Sequence, residues 1–274
     1  MFKIIIMALL IFIGMVGYDN ITDKAQPTTP VQQEQQKVSK HEKSAAMALF
    51  TSLLPPKEEW PSPVHKFYLA FNMDEVIDPI RQNPNWTSLD AMSRDIPQAL
   101  IAIEDHAFYN HGAIAVEGIL RATLANINAG EVVQGGSTLT QQFVKNVFLS
   151  HEQSMERKIE EAVLSLMLED NYSKDEILEL YLNTTYFGAG STGIKQASRT
   201  YFGKAPSALT LAEAAVIASL PYAPTSLNPL ENPEGCKKRQ LLVLAAMHKY
   251  GMINQGQLAE AKAEKIRLTN GTFM

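Results

Sequence analysis

The sequence predicts a mainly α-helical fold, and three observations carry that prediction. Beyond Asp95, apolar residues recur at helical spacing, most plainly from Val116 to Ile127. Ser173-x-x-Glu176 and Thr210-x-x-Glu213 read as capping boxes, in which a hydroxyl and a glutamate satisfy the exposed backbone donors of a helix start. Long runs with period-two alternation are missing, so sheet content should be small or nil. At 274 residues and 46% hydrophobic composition, the chain can bury one good-sized core.

Taken in order, the elements begin with Ile4 to Tyr18, an uncharged apolar run behind Lys3 that is slightly short of the ~20 residues of a full membrane span. It reads as a signal-anchor or a cleaved signal peptide. The lack of a convincing Ala-x-Ala site and of a lipobox cysteine favours an uncleaved anchor over residues 1–18, its positive end in the cytoplasm and the bulk of the chain outside. Residues 19–43 turn to Gln, Lys, Glu, Thr and Pro and read as a flexible linker. Residues 44–94, broken at Leu54-Pro55-Pro56 and at Trp60-Pro61-Ser62-Pro63, form a lead-in lobe, and residues 95–268 form the main domain.

Within that domain Asp95 is placed to cap a helix carrying Leu100, Ile101 and Ile103, and the Val116 to Ile127 helix stops near Gly130. Gly135-Gly136 breaks the chain, and Ser137 or Thr138 caps the next helix. The Ser173-capped helix ends near Asn183, and Asn232-Pro233 opens a helix that ends near Gly251.

Bulk properties exclude several functions. A net charge of −5 and a pI near 5.7 argue against a nucleic-acid partner, which calls for a basic stripe. Cys236 is the single cysteine, so no intrachain disulfide forms. His106 and His111 are off a shared helical face and lack a Cys partner, so no metal site is predicted from protein ligands. Gly188-Ala-Gly-Ser-Thr-Gly193 satisfies Gly-x-Gly-x-x-Gly, with Glu213 where a ribose-binding acid would stand. A helix rather than a strand precedes it, so a nucleotide site is rejected.

The chemistry concentrates at Glu104-Asp105, which ends the apolar run Ile101-Ala-Ile and continues through Phe108 to His111. By itself such a pair is most often a solvated helix end. Beside Ile101, Ile103 and Phe108, however, a carboxylate loses solvation, which raises its pKa and suits it to general-base work. Gly135-Gly-Ser-Thr-Leu-Thr-Gln-Gln142 then offers free backbone donors at a helix start, the usual cradle for a pyrophosphate. Gln142 and Lys145 stand at i and i+3 and converge on one side of that helix. Arg157 and Glu161 form an i,i+4 pair, whose plain reading is a surface salt bridge worth less than about 1 kcal/mol.

The Ile101 to His111 segment, the string from Gly135 to Asn146, Arg157-Lys158-Ile159-Glu160-Glu161, Lys174 to Asn183, and Tyr201-Phe202-Gly203-Lys204 follow in an order that resembles the peptidoglycan glycosyltransferases. These are the family 51 glycosyltransferases, found also as the transglycosylase domain of class A penicillin-binding proteins, and they polymerise lipid II. The likeness runs from about Ala99 to Lys249. It implies a lysozyme-like helical domain carrying out an inverting transfer, in which the anomeric carbon of a polyprenyl-diphosphate-linked glycan chain is attacked by the 4-hydroxyl of lipid II.

The resemblance makes Glu104 the base and Glu161 a second essential carboxylate. It assigns Arg157, Lys158, Lys145 and Gln142 to the diphosphate, and Asp105, Phe108, His111, Ser137, Thr138, Tyr181 and Asn183 to substrate binding. A divalent cation, Mg2+ or Mn2+, would be bound with the substrate diphosphate. Implied partners are lipid II, the growing strand, membrane lipid and other cell-wall synthases, with the apolar helix from about Ala113 to Ile127 dipping into the bilayer of the cytoplasmic membrane. No Ser-x-x-Lys or Lys-Thr-Gly occurs, so a penicillin-reactive transpeptidase is not expected and the chain reads as monofunctional.

The chain departs from the family pattern where Ala115 occupies an Asp position, Gln153 an Arg position and Thr192 a common Tyr position. Losing a cation at Gln153 predicts weaker donor binding. Two alternatives follow from the same residues. A lytic transglycosylase would need one acidic Glu and no diphosphate cluster. A catalytically weak scaffold that binds lipid II would tolerate Ala115 and Gln153, although it would seldom retain both Glu104 and Glu161.

Overall fold

The computed structural model describes residues 68–69, 72–115, 118, 136–149 and 154–274. The expected anchor at residues 4–18, the linker, the Val116 to Ile127 helix and Gln153 lie outside the described residues. The chain divides into two units, Met1–Leu69 and Ala70–Met274, and the second holds every element below.

Nine α-helices are found among the described residues: α1 Asp74–Arg81, α2 Asp95–Glu104, α3 Leu139–Phe148, α4 Met155–Asn171, α5 Lys174–Thr184, α6 Ile194–Phe202, α7 Leu211–Ser219, α8 Pro233–Lys249 and α9 Gln255–Ala263. Two isolated antiparallel bridges, Tyr186 with Thr192 and Arg267 with Phe273, are their entire sheet content. The fold is mainly helical.

Helix α7 is the hub. Residues 212–219 are all buried, and the run of alanines at 212, 214, 215 and 218 lets α2 and α8 pack closely on it. Glu213, buried in this apolar helix, is satisfied by capping Thr210 N and by the Lys204 ammonium at 2.6 Å. A second group consists of α3 packed against α4 and α5, filled by Phe143, Leu168, Leu178 and Tyr181. The C-terminal end of α2 and the N-terminal end of α3 meet, and this junction positions the site.

Local signals decided most helix starts. Ser173 with Glu176 and Thr210 with Glu213 form complete capping boxes, Thr138 forms another with Gln141, and Asn232 caps α8. Asp95 behaves differently from expectation. Arg94 occupies the cap position with helical dihedrals (φ −59°, ψ −23°) and no side-chain bond, and Asp95 is the first helical residue. A side chain can cap only from extended backbone, which neither residue adopts.

The compact unit starts at Ala70, so residues 70–94, assigned by sequence to a lead-in lobe, share the core of the rest. Met73, Ile77 and Met92 are buried in it, and Arg81 binds Glu176 of α5 at 2.9 Å. The glycine-rich segment after α5 is a turn. Gly193 (φ +84°) lies where a Cβ would approach the Asn183 carbonyl to 2.6 Å, and Gly188 (φ +88°) presses on the Pro224 carbonyl.

Candidate active site

Glu104 is the last residue of α2 and is partly buried. Its Oε2 accepts a hydrogen bond from Gln142 Nε2 at 2.9 Å, and Gln142 Oε1 accepts from Tyr181 Oη at 3.0 Å. Three helices therefore contribute one residue each to a chain ending on the carboxylate. Tyr181 is fully buried, and burial first, then the nearby Glu104 charge, hold its phenol well above the usual range. It is a fixed donor at any working pH. That fixes Gln142 with its amide nitrogen toward Glu104 and leaves Glu104 Oε1 without a described partner.

Asp105 joins the two helix ends. Its backbone N–H closes α2 on Ile101 O, Oδ2 accepts from Leu139 N at the first turn of α3 (3.0 Å), and Oδ1 lies 2.6 Å from His111 Nε2. The other His111 nitrogen, Nδ1, lies 2.6 Å from Gly112 O. The hydrogen bond to Asp105 leads in raising the His111 pKa, against partial burial and the Lys174 charge that lower it.

At the start of α3, where the sequence expects an anion cradle, three backbone donors meet protein acceptors. Leu139 N donates to Asp105, Thr138 N to Gln141 Oε1 and Gln141 N to Thr138 Oγ1. A carboxylate from the end of α2 thus meets part of the electrostatic demand of this helix start.

Other residues assigned to substrate binding also have protein partners. Thr138 is 1% exposed, and its hydroxyl donates to Ala113 O, which ties the loop. Phe108 is fully buried, with the Lys174 ammonium 4.5 Å from its ring centroid. Asn183 spends its amide on Thr87 and Glu179: Nδ2 donates to both carbonyls and Oδ1 accepts from Thr87 N. Asp105, His111 and Tyr181 likewise face protein partners.

The cationic cluster holds together. Glu161 of α4 is 2% exposed, ion-paired with Lys158 Nζ and, at 3.6 Å, with Arg157 Nη1. Lys158 Nζ also donates to Ser137 Oγ at 3.3 Å, bringing the cluster to the residue that leads into α3. This is far from an ordinary surface pair, because the shared carboxylate is buried. Arg157 Nε is buried and meets no acceptor. Lys145 is exposed on α3 and makes no hydrogen bond or ion pair with a described residue.

With two cations already on Glu161, the carboxylate set does not fit a resident divalent metal, and no group of three or more metal-ligating side chains occurs among the described residues.

Two contacts escaped sequence reasoning. Glu169 of α4 accepts from Thr140 Oγ1 at 2.6 Å and pairs with Lys174 at 2.7 Å, buttressing α3 from behind. His106 stacks on Tyr250 with ring centroids 4.2 Å apart, joining the loop after α2 to the end of α8. Their partners are distant in sequence, so no local spacing marked them.

Residues 73–248 match the family model described as Transglycosylase. A Cupriavidus necator protein named putative transglycosylase H16_A0665 is 41% identical over 194 residues, 71% of this chain and 84% of that protein. Penicillin-binding protein 1A of Neisseria flavescens is 44% identical over 185 residues, 68% of this chain and 23% of the relative. Penicillin-binding protein 1A of Aquifex aeolicus is 44% identical over 176 residues, 64% and 24% respectively, so the chain spans about a quarter of these two relatives. A crystal structure of penicillin-binding protein 1A from Haemophilus influenzae aligns at 33% identity and a TM-score of 0.34, covering 48% of this chain and 16% of that one.

Proposed function

The chain belongs to the transglycosylase family, and on that premise we propose that it is a lysozyme-like peptidoglycan glycosyltransferase acting at the outer face of the cytoplasmic membrane. Its reaction is the inverting transfer of a polyprenyl-diphosphate-linked glycan chain onto the 4-hydroxyl of lipid II. The observation that carries this reading is the Tyr181–Gln142–Glu104 chain, which fixes one carboxylate oxygen and leaves the other to take a proton.

Attack by the 4-hydroxyl on the anomeric carbon of the donor forms the new glycosidic bond and breaks the bond to diphosphate. Glu104 Oε1 receives the hydroxyl proton as that bond forms. Negative charge grows on the leaving diphosphate, and cations held in place stabilise that change more than they stabilise the ground state. Lys158 and Arg157, positioned by Glu161, are suited to this, and the unpartnered Arg157 Nε supplies a donor awaiting an acceptor. Exposed Lys145 adds a further cation. Any Mg2+ or Mn2+ would arrive on the substrate diphosphate, since Glu161 is occupied, and no step depends on it.

The test uses the purified full chain with labelled lipid II, with and without Mg2+ or Mn2+, followed by separation of glycan from lipid. Polymer appearing as lipid II disappears supports the reading. Binding without turnover would favour the scaffold, and cleavage of finished glycan without use of lipid II would favour a lytic enzyme.

A further inference from the structure

We infer that His111 is a cationic clamp: as an imidazolium it donates to both Asp105 and the Gly112 carbonyl, and through Asp105 it positions Glu104 for reaction. The observation is geometric. Both ring nitrogens lie 2.6 Å from oxygens that carry no proton to offer, a carboxylate and a backbone carbonyl. Neutral imidazole has a single N–H. Either tautomer would leave a nitrogen lone pair facing an oxygen lone pair at that distance, whereas the imidazolium satisfies both.

The clamp reaches the reacting carboxylate by a short route. Asp105 follows Glu104 directly and holds Leu139 N, the first turn of α3. Gln142, also on α3, holds Glu104 Oε2. The loop is tied again where Thr138 Oγ1 donates to Ala113 O. Releasing His111 from Asp105 therefore loosens the joint that sets the Gln142 to Glu104 distance.

The charges around the ring favour protonation on balance. Asp105 raises the His111 pKa, while partial burial and the ammonium of Lys174 on α5 oppose it, and Lys174 is itself paired with Glu169 of α4. With the folded value raised above 6.5, the clamp's contribution is complete below that pH and is lost as pH rises through the raised value. His111 is thus a positioning residue, and it predicts an alkaline limb of activity.

The kinetic arm rests on the proposed transferase reading, and the spectroscopic arm does not. The full chain, labelled with 15N at histidine, is followed by long-range imidazole spectra across pH, with His111→Asn identifying the resonance. The expected result is a ring still mainly doubly protonated at pH 6.5 that titrates above that pH, and a downward shift of that titration in Asp105→Asn. In turnover assays, His111→Gln should lose the alkaline limb and drop kcat on the order of tenfold, short of the ~10²-fold that a 1 Å misplacement can cost, with KM nearly unchanged. A neutral tautomer at pH 6.5, titration at or below 6.5 in the unaltered protein, or an alkaline limb that persists in His111→Gln would overturn the clamp. If the unaltered protein turns nothing over, the transferase reading fails and the spectra alone decide.

Discussion

Glu104 and Tyr181 never meet in the sequence, yet one amide between them converts a helix-end carboxylate into an oriented one. Glu104, Gln142 and the Arg157 to Glu161 group were legible because each sits in a long motif string. The protein partners of Thr138, Phe108 and Asn183 were not, since they lie far along the chain, at Ala113, Lys174 and Thr87. Tyr181→Phe tests the relay. It removes one hydrogen bond of about 0.5–1.5 kcal/mol and frees Gln142 to turn, so kcat should fall several-fold with KM little changed. Steady-state kinetics at matched folded fractions check this, and a KM increase alone would point instead to substrate contact.

Helices announce their starts locally, which is why the boxes at Ser173 and Thr210 and the cap at Asn232 were readable: hydroxyl, amide and backbone donor lie within one turn. The start of α3 shows the limit of such reading. A cap at Ser137 or Thr138 was expected and Thr138 supplies it, but the Leu139 N–H donates to Asp105, which arrives from the end of another helix. Thr138→Ala removes the cap and the tie to Ala113 together, and should cost about 1–2 kcal/mol. Urea unfolding followed by circular dichroism would measure it. A loss under a few tenths of that would mean α3 is held by packing alone.

Across the whole molecule, helical periodicity and missing alternation foretold a mainly helical fold, because the packing of α2, α7 and α8 follows from their apolar faces. No helix among the described residues is long and apolar enough to cross a membrane. The sequence reading places an anchor at residues 4–18, and on that reading the protein should remain with membranes through a high-salt wash, which strips electrostatic contacts only. Intact mass should retain the first residues, and loss of about the first twenty would replace the anchor with a cleaved signal. The central claim is that Glu104 takes the proton from the attacking hydroxyl. The most direct measurement is the initial rate of glycan polymerisation from lipid II by Glu104→Gln, with circular dichroism confirming the fold. A fall of about 10²–10⁴-fold in a folded protein is the predicted result; turnover equal to that of the unaltered chain would contradict it.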